Sequence, residues 1–141
     1  MARKKGVKLQ MKLEGIDDLV DEAERIGGAI RADVKRIIRK YALKVERTAK
    51  KLAPVDEGRL RASIRAVLKD MAAAVLTDVF YAAFQEFGTG RRGAASGVDP
   101  VENYVYGPSK GIPPTPFMRP ALERHAKDFI REVREVVKRR L

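Results

Sequence analysis

The chain has 141 residues and a net charge of +11, from 30 Lys and Arg against 19 Asp and Glu. That length suits one domain with one hydrophobic core, and a hydrophobic fraction of 45% argues against wholesale disorder. With no cysteine, a disulfide framework, a thiolate metal site and a cysteine nucleophile are excluded. No apolar run approaches the roughly 18 residues that a membrane span needs. The start, MARKKGVKLQMKLEG, is charged but has no apolar stretch behind it, so it reads as no secretory leader. The expectation is a soluble chain made in the cytoplasm, with no membrane partner. The cationic surplus attracts polyanions by phosphate contact and counterion release, without saying which polyanion.

In chain order, Val7, Leu9, Met11 and Leu13 alternate with Lys8, Gln10 and Lys12, which predicts a half-buried strand ended by Gly15. Asp17 then stands as an N-cap, with Asp18 and Asp21 in a first turn whose dipole favours negative charge. From Leu19 the apolar positions step by three and four through Ala23, Ile26, Ile30, Val34, Ile37, Tyr41, Val45 and Thr48 to Leu52, one face of a long helix. Gly27 and Gly28 cost that helix roughly 2 kcal/mol of propensity. They mark a kink, a break or a close contact. The opposite face carries Arg31, Lys35, Arg36, Arg39, Lys40, Lys44, Arg47 and Lys50, a solvated basic face or one turned to nucleic acid.

Pro54 pushes the residue before it out of helical geometry and stops the helix. The corner that follows, APVDEGRLRASI, reads as architecture. Asp56 can cap the next turn, Gly58 permits a sharp redirection, and Leu60 and Ile64 re-enter the core while Arg59 and Arg61 point away. Pro54, Asp56, Gly58, Leu60, Arg61 and Ser63 are its structural residues. Residues 60–68 and 73–81 predict a β-hairpin turning near Lys69 and Asp70, with a short helix possible from Tyr81.

From Gly88 to Pro116 six glycines and five prolines dissolve all periodicity, giving a long, mobile loop within a single domain spanning 1–141. Order returns in a C-terminal helix with Pro120 in its first turn, an apolar stripe of Phe117, Ala121, Leu122, Phe129, Val133, Val136 and Val137, and a basic end at Lys138, Arg139 and Arg140. The sum is an α+β fold: a small, mainly antiparallel sheet against a long N-terminal helix and a C-terminal helix.

Catalytic signals are weak. His125, the one histidine, lies near the apolar stripe and reads as a packing or surface residue. Ser63 and Ser96 have no nucleophile elbow around them. One His without Cys builds no usual zinc site. A carboxylate magnesium site stays open on composition alone, with Asp56, Glu57, Asp78, Glu86 and Asp99 as the available acids. FGTGRRG, residues 87–93, superficially looks like a phosphate loop but lacks the GxxxxGK[ST] pattern, so a flexible loop with exposed Arg91 and Arg92 is the simpler reading. No enzyme, catalytic residue, metal or cofactor is assigned.

Three pieces resemble, in order, the motifs of tailed-phage neck proteins, the head–tail connector or tail-completion proteins of siphophages and prophages. APVDEGRLRASI is similar to their A-P-x-D-T-G-x-L-R-x-S-I element, VFYAAFQEFGTG to their Y-A-x-x-x-E-F-G-T segment, and PPTPFMRPAL to their x-P-F-x-R-P-A segment. Glu57 departs from the usual Thr, and the insert from Arg91 to Pro114 is longer than the family pattern. The resemblance implies a non-enzymatic virion structural protein at the head–tail junction, made in the bacterial host cytoplasm. It implies a homo-oligomeric ring, six copies suiting the tail, joined to head-closure or connector proteins and to tail tube or tail terminator proteins, with DNA passing through non-specifically. Assembly contacts are then expected at Glu86, Phe87, Gly88, Thr89, Arg91 and Arg92, and the C-terminal helix start is marked by Pro116, Phe117, Arg119 and Pro120. The alternative is a basic nucleic-acid-binding protein without catalysis.

Overall fold

The computed structural model describes residues 9–11, 21, 25, 27–55, 58–97, 100 and 104–140. Among them run β1 (Leu9–Met11), α1 (Gly28–Leu52), α2 (Arg59–Ser63), β2 (Arg65–Lys69), β3 (Ala72–Thr77), α3 (Ala82–Phe87), α4 (Gly90–Ala94) and α5 (Met118–Arg140). Two long helices beside a three-stranded antiparallel sheet of order β1-β3-β2 make the fold α+β.

α1 begins where the glycine pair stands. Gly27 has φ 121, which no other residue type adopts readily, and a Cβ at either glycine would meet nothing within 4 Å. The pair therefore breaks the helix and mediates no close contact. The proposed cap at Asp17 lies outside the described residues. Along α1 the buried side chains are Ile30, Val34, Ile38, Tyr41, Ala42, Val45, Thr48 and Ala49. This corrects the expected stripe at two places. Ile38 and Ala49 face inward, while Ile37 is half-buried and Leu52 is exposed.

α5 packs antiparallel on α1, and two clusters of buried side chains fill the space between helices and sheet. One joins Ile30, Val34 and Ile38 of α1 to Met71 and to Phe129, Val133 and Val137 of α5. The other joins Val45 and Ala49 to Leu60, Ile64, Val75, Phe87, Phe117 and Met118. Two polar ties set the register of the helix pair. The Tyr41 hydroxyl donates to Glu132 Oε1 at 2.8 Å, and Thr48 Oγ1 lies 2.7 Å from His125 Nε2. The Tyr41 and Phe129 rings meet at 5.5 Å between centroids.

Residues 60–63 are not the start of a strand. Leu60 and Ile64, four apart, lie 3% and 1% exposed, and the chain reaches both through the single helical turn of α2. The strand begins only at Arg65, pairs with Leu76 across the hairpin, and turns at Asp70 with φ 47. β3, the central strand, buries Val75, Leu76 and Thr77 in succession. The outer edge of β2 is blunted at one point, where Glu46 of α1 accepts the Ala66 N–H at 3.0 Å.

Candidate functional site

The corner at 53–64 is built as its sequence suggests. Gly58 sits in the left-handed region, φ 72, directly before α2. Arg61, pointing outward, donates from Nε to the Lys50 carbonyl at 2.8 Å and so satisfies one of the open carbonyls at the end of α1. Ser63 Oγ lies 2.6 Å from both the Leu60 carbonyl and Thr77 Oγ1, which ties α2 to β3. Pro54 is half-buried at the exit of α1. Asp56 and Glu57 lie outside the described residues.

Glu86 is held by three backbone amides. It is 1% exposed, on α3, in a largely apolar run. Its Oε2 accepts the Phe117 and Met118 amides at 2.8 and 2.9 Å, and Oε1 accepts that of Arg119 at 2.8 Å. Those are the first donors of α5, which no intrahelical carbonyl can satisfy. Pro120, the next residue, has no N–H to satisfy. One carboxylate thus caps a helix that begins 32 residues further along the chain, where negative charge also suits the dipole. The two motifs around Glu86 and around Phe117 are the halves of one clamp.

Of the residues expected at assembly contacts, Glu86, Phe87 and Gly88 are interior in the single chain, Thr89 is half-buried, and Arg91 and Arg92 are exposed. At the C-terminal helix start Phe117 is buried, and Pro116, Arg119 and Pro120 are half-buried. Large apolar side chains at other positions reach the surface. Phe80 is 57% exposed, Phe84 41% and Val105 82%. Phe80 stacks edge-on against Tyr81, and Phe84 leans on Tyr104.

The described residues of 88–116 are tied to one another across the stretch. The amides of Thr89, Arg91 and Arg92 donate to the carbonyls of Ile112, Ser109 and Lys110 at 2.9, 2.8 and 3.1 Å, and that of Gly90 donates to Tyr106. The Tyr104 hydroxyl donates to the Gly88 carbonyl. Burial pushes the Tyr104 phenol up, with Tyr106 adding to the shift. A Cβ at Gly93 would come within 2.7 Å of the Tyr106 ring, so the two stretches cross at a distance only glycine allows. The amides that would have cradled a phosphate in FGTGRRG are therefore occupied by the chain's own carbonyls.

Tyr41, Glu132 and His125 are held by structural partners between α1 and α5. Burial is the main reason the Tyr41 phenol is pushed up to about 12, and its bond to Glu132 adds to the shift. Burial works to raise Glu132, but hydrogen bonds from Tyr41 and Lys40 outweigh it and hold its carboxyl below the ordinary value. His125 is pushed down by burial first, then by the nearby Arg124 and Lys44 charges. Asp78 is exposed and pairs with Arg65 at 3.6 Å, so it does not join Glu86 in one acidic site. Among the described residues no group of three His, Asp or Glu is placed to hold a metal ion, and no helix is long and apolar enough to cross a membrane.

Among the described residues Glu86 is a deeply buried carboxylate, and it is committed to capping α5 within an α+β fold. Over residues 17–88, half of the chain, the sequence matches a family model described as "Bacteriophage HK97-gp10, putative tail-component", and the chain belongs to this HK97-gp10-like family. The match agrees with the neck and tail-completion resemblance, and it places the protein among virion structural components. No curated protein and no solved structure matches the chain.

Proposed function

We propose that the chain is a non-enzymatic subunit of the head–tail junction, forming a ring of about six copies that joins the tail to the DNA-filled head. The observation that carries this reading is the match to a phage tail component through α1, the corner and the hairpin as far as Gly88. The architecture supports it. A closed ring needs two different surfaces on each copy, meeting head to tail. Among the described residues, apolar side chains available to such surfaces include Phe80, Phe84 and Val105, and Val67 and Leu68 on opposite faces of edge strand β2, 43% and 42% exposed. Arg91 and Arg92 stand exposed on α4 and would meet acidic neighbours above or below the ring. The partners in this reading are head-closure or connector proteins on one side and tail tube or terminator proteins on the other.

Quantitative mass spectrometry of purified particles tests the proposal. A copy number close to that of a single ring is expected. Intact, infectious tailed particles without this chain would overturn it.

A further inference from the structure

We propose that the outer face of α5 is a binding surface for the sugar–phosphate backbone of duplex DNA. The inference rests on the neck reading for its biological setting, but not for its chemistry. Arg124, Lys127, Arg131, Arg134 and Lys138 recur at steps of three and four, and all five are exposed. At about 100° and 1.5 Å per residue they fall within an arc of roughly 80° and run for roughly 21 Å along one side of the helix. The acids Glu123, Asp128 and Glu135 flank the stripe and do not interrupt it. Among the described residues only Arg131 of the five forms an ion pair, with Asp128 at 2.9 Å.

The basic face of α1, the more obvious candidate from sequence, is engaged over much of its N-terminal half. Arg31 and Lys35 pair with Asp70, Arg36 with Asp33, and Lys40 with Glu132. Lys44 lies 4.9 Å from the Tyr41 ring centroid. That face is also interrupted by Leu43, 43% exposed. α5 thus presents a row of five exposed cations of which, among the described residues, only Arg131 forms an ion pair.

The occupant follows from what the stripe lacks. A folded acidic protein would be anchored by aromatic or aliphatic side chains within the patch. The stripe positions carry Lys and Arg alone, and the adjoining Ile130 is half-buried. Evenly repeated cations on a straight rod match an evenly repeated anion, and they position the protein without reading sequence. In a ring such a face would line the channel.

The test is a titration of a labelled duplex with the purified full chain between about 50 and 200 mM salt, followed by fluorescence anisotropy. One variant combines Lys127→Gln, Arg134→Gln and Lys138→Gln. A control combines Arg39→Gln, Arg47→Gln and Lys51→Gln on α1, which removes the same charge from exposed positions. The stripe variant should flatten the salt dependence by roughly 0.9 per cation removed and weaken binding more than about tenfold at low salt. The control should stay within about threefold of the parent. Equal losses in both variants would mean that binding follows net charge, which overturns the proposal. So would a parent chain that ignores duplex and binds poly-glutamate through the stripe. The stripe can fail while the chain is still found in particles, and the neck reading then survives. It can hold in a chain absent from particles, and only the neck reading falls.

Discussion

Glu86 turns an acidic residue in an apolar run into the fixed point of the fold. Glu86→Gln keeps the shape but turns an NH₂ group toward backbone donors that need an acceptor. The expected loss is about 2–4 kcal/mol, because at least one buried N–H is orphaned and a charge-assisted bond is removed. For a chain of this size that is roughly 5–12 °C in Tm. A thermal melt unchanged by the substitution would show that the clamp contributes nothing. The polar ties between α1 and α5 predict a pH response in two separate windows. The folded pKa of His125 lies below its unfolded value of 6.5. The unfolded chain therefore takes up the proton first as pH falls. The stability His125 contributes is complete above about 6.5 and is lost as pH drops through and below it. The same sign holds for Glu132, but in the window below its ordinary value of 4.5. Urea midpoints measured from pH 8 to pH 5 should fall in the parent and stay flatter in His125→Gln, with the Glu132 loss appearing only at lower pH. A parent as pH-dependent as the variant would remove His125 from the account.

At the scale of elements, Gly58 shows how one backbone conformation redirects the chain. A Cβ there would meet nothing within 4 Å, so the cost of substitution is purely conformational. Gly58→Val should destabilise by about 1–2 kcal/mol, and Gly58→Asn by less, since Asn tolerates the left-handed region. Equal melting temperatures for the two variants would refute this. Most of the elements are legible in the residues themselves. The three-and-four spacing from Ile30 to Thr48, the breaker at Pro54 and the alternation around Leu9 each act locally, and local physics shows in sequence. Residues 60–63 were harder, because Leu60 and Ile64 fit a short helical turn and a strand equally well. The clamp was hidden for a different reason. Its halves look complete separately, and only the fold brings Glu86 to Phe117. One signal was available: the C-terminal helix starts at PFMRP without a Ser, Asp or Asn cap of its own, while an acid stands unexplained within AAFQEF. The pairing of α1 cations with Asp70 and Glu132 was hidden in the same way.

At the scale of the whole molecule, folding and assembly should separate by residue. Replacing Arg91 and Arg92 with Glu alters two exposed side chains on α4 and leaves its amide network intact. The melting temperature should change little, while the yield of joined, infectious particles should drop sharply. Particle yield equal to the parent's would take these arginines out of the junction. The clamp has a consequence for how the protein can be handled. Glu86 and its hold on α5, with the Thr115 amide donating to the Gln85 carbonyl at 2.6 Å, close the stretch 88–116 at its base. Lengthening a loop whose ends are already fixed costs only about 0.6 kcal/mol per doubling. The exposed Ala95–Gly97 turn is then a place where an epitope or fluorophore sequence can be spliced in, giving a visible marker for the position of each copy in an intact particle without loosening the core that carries it.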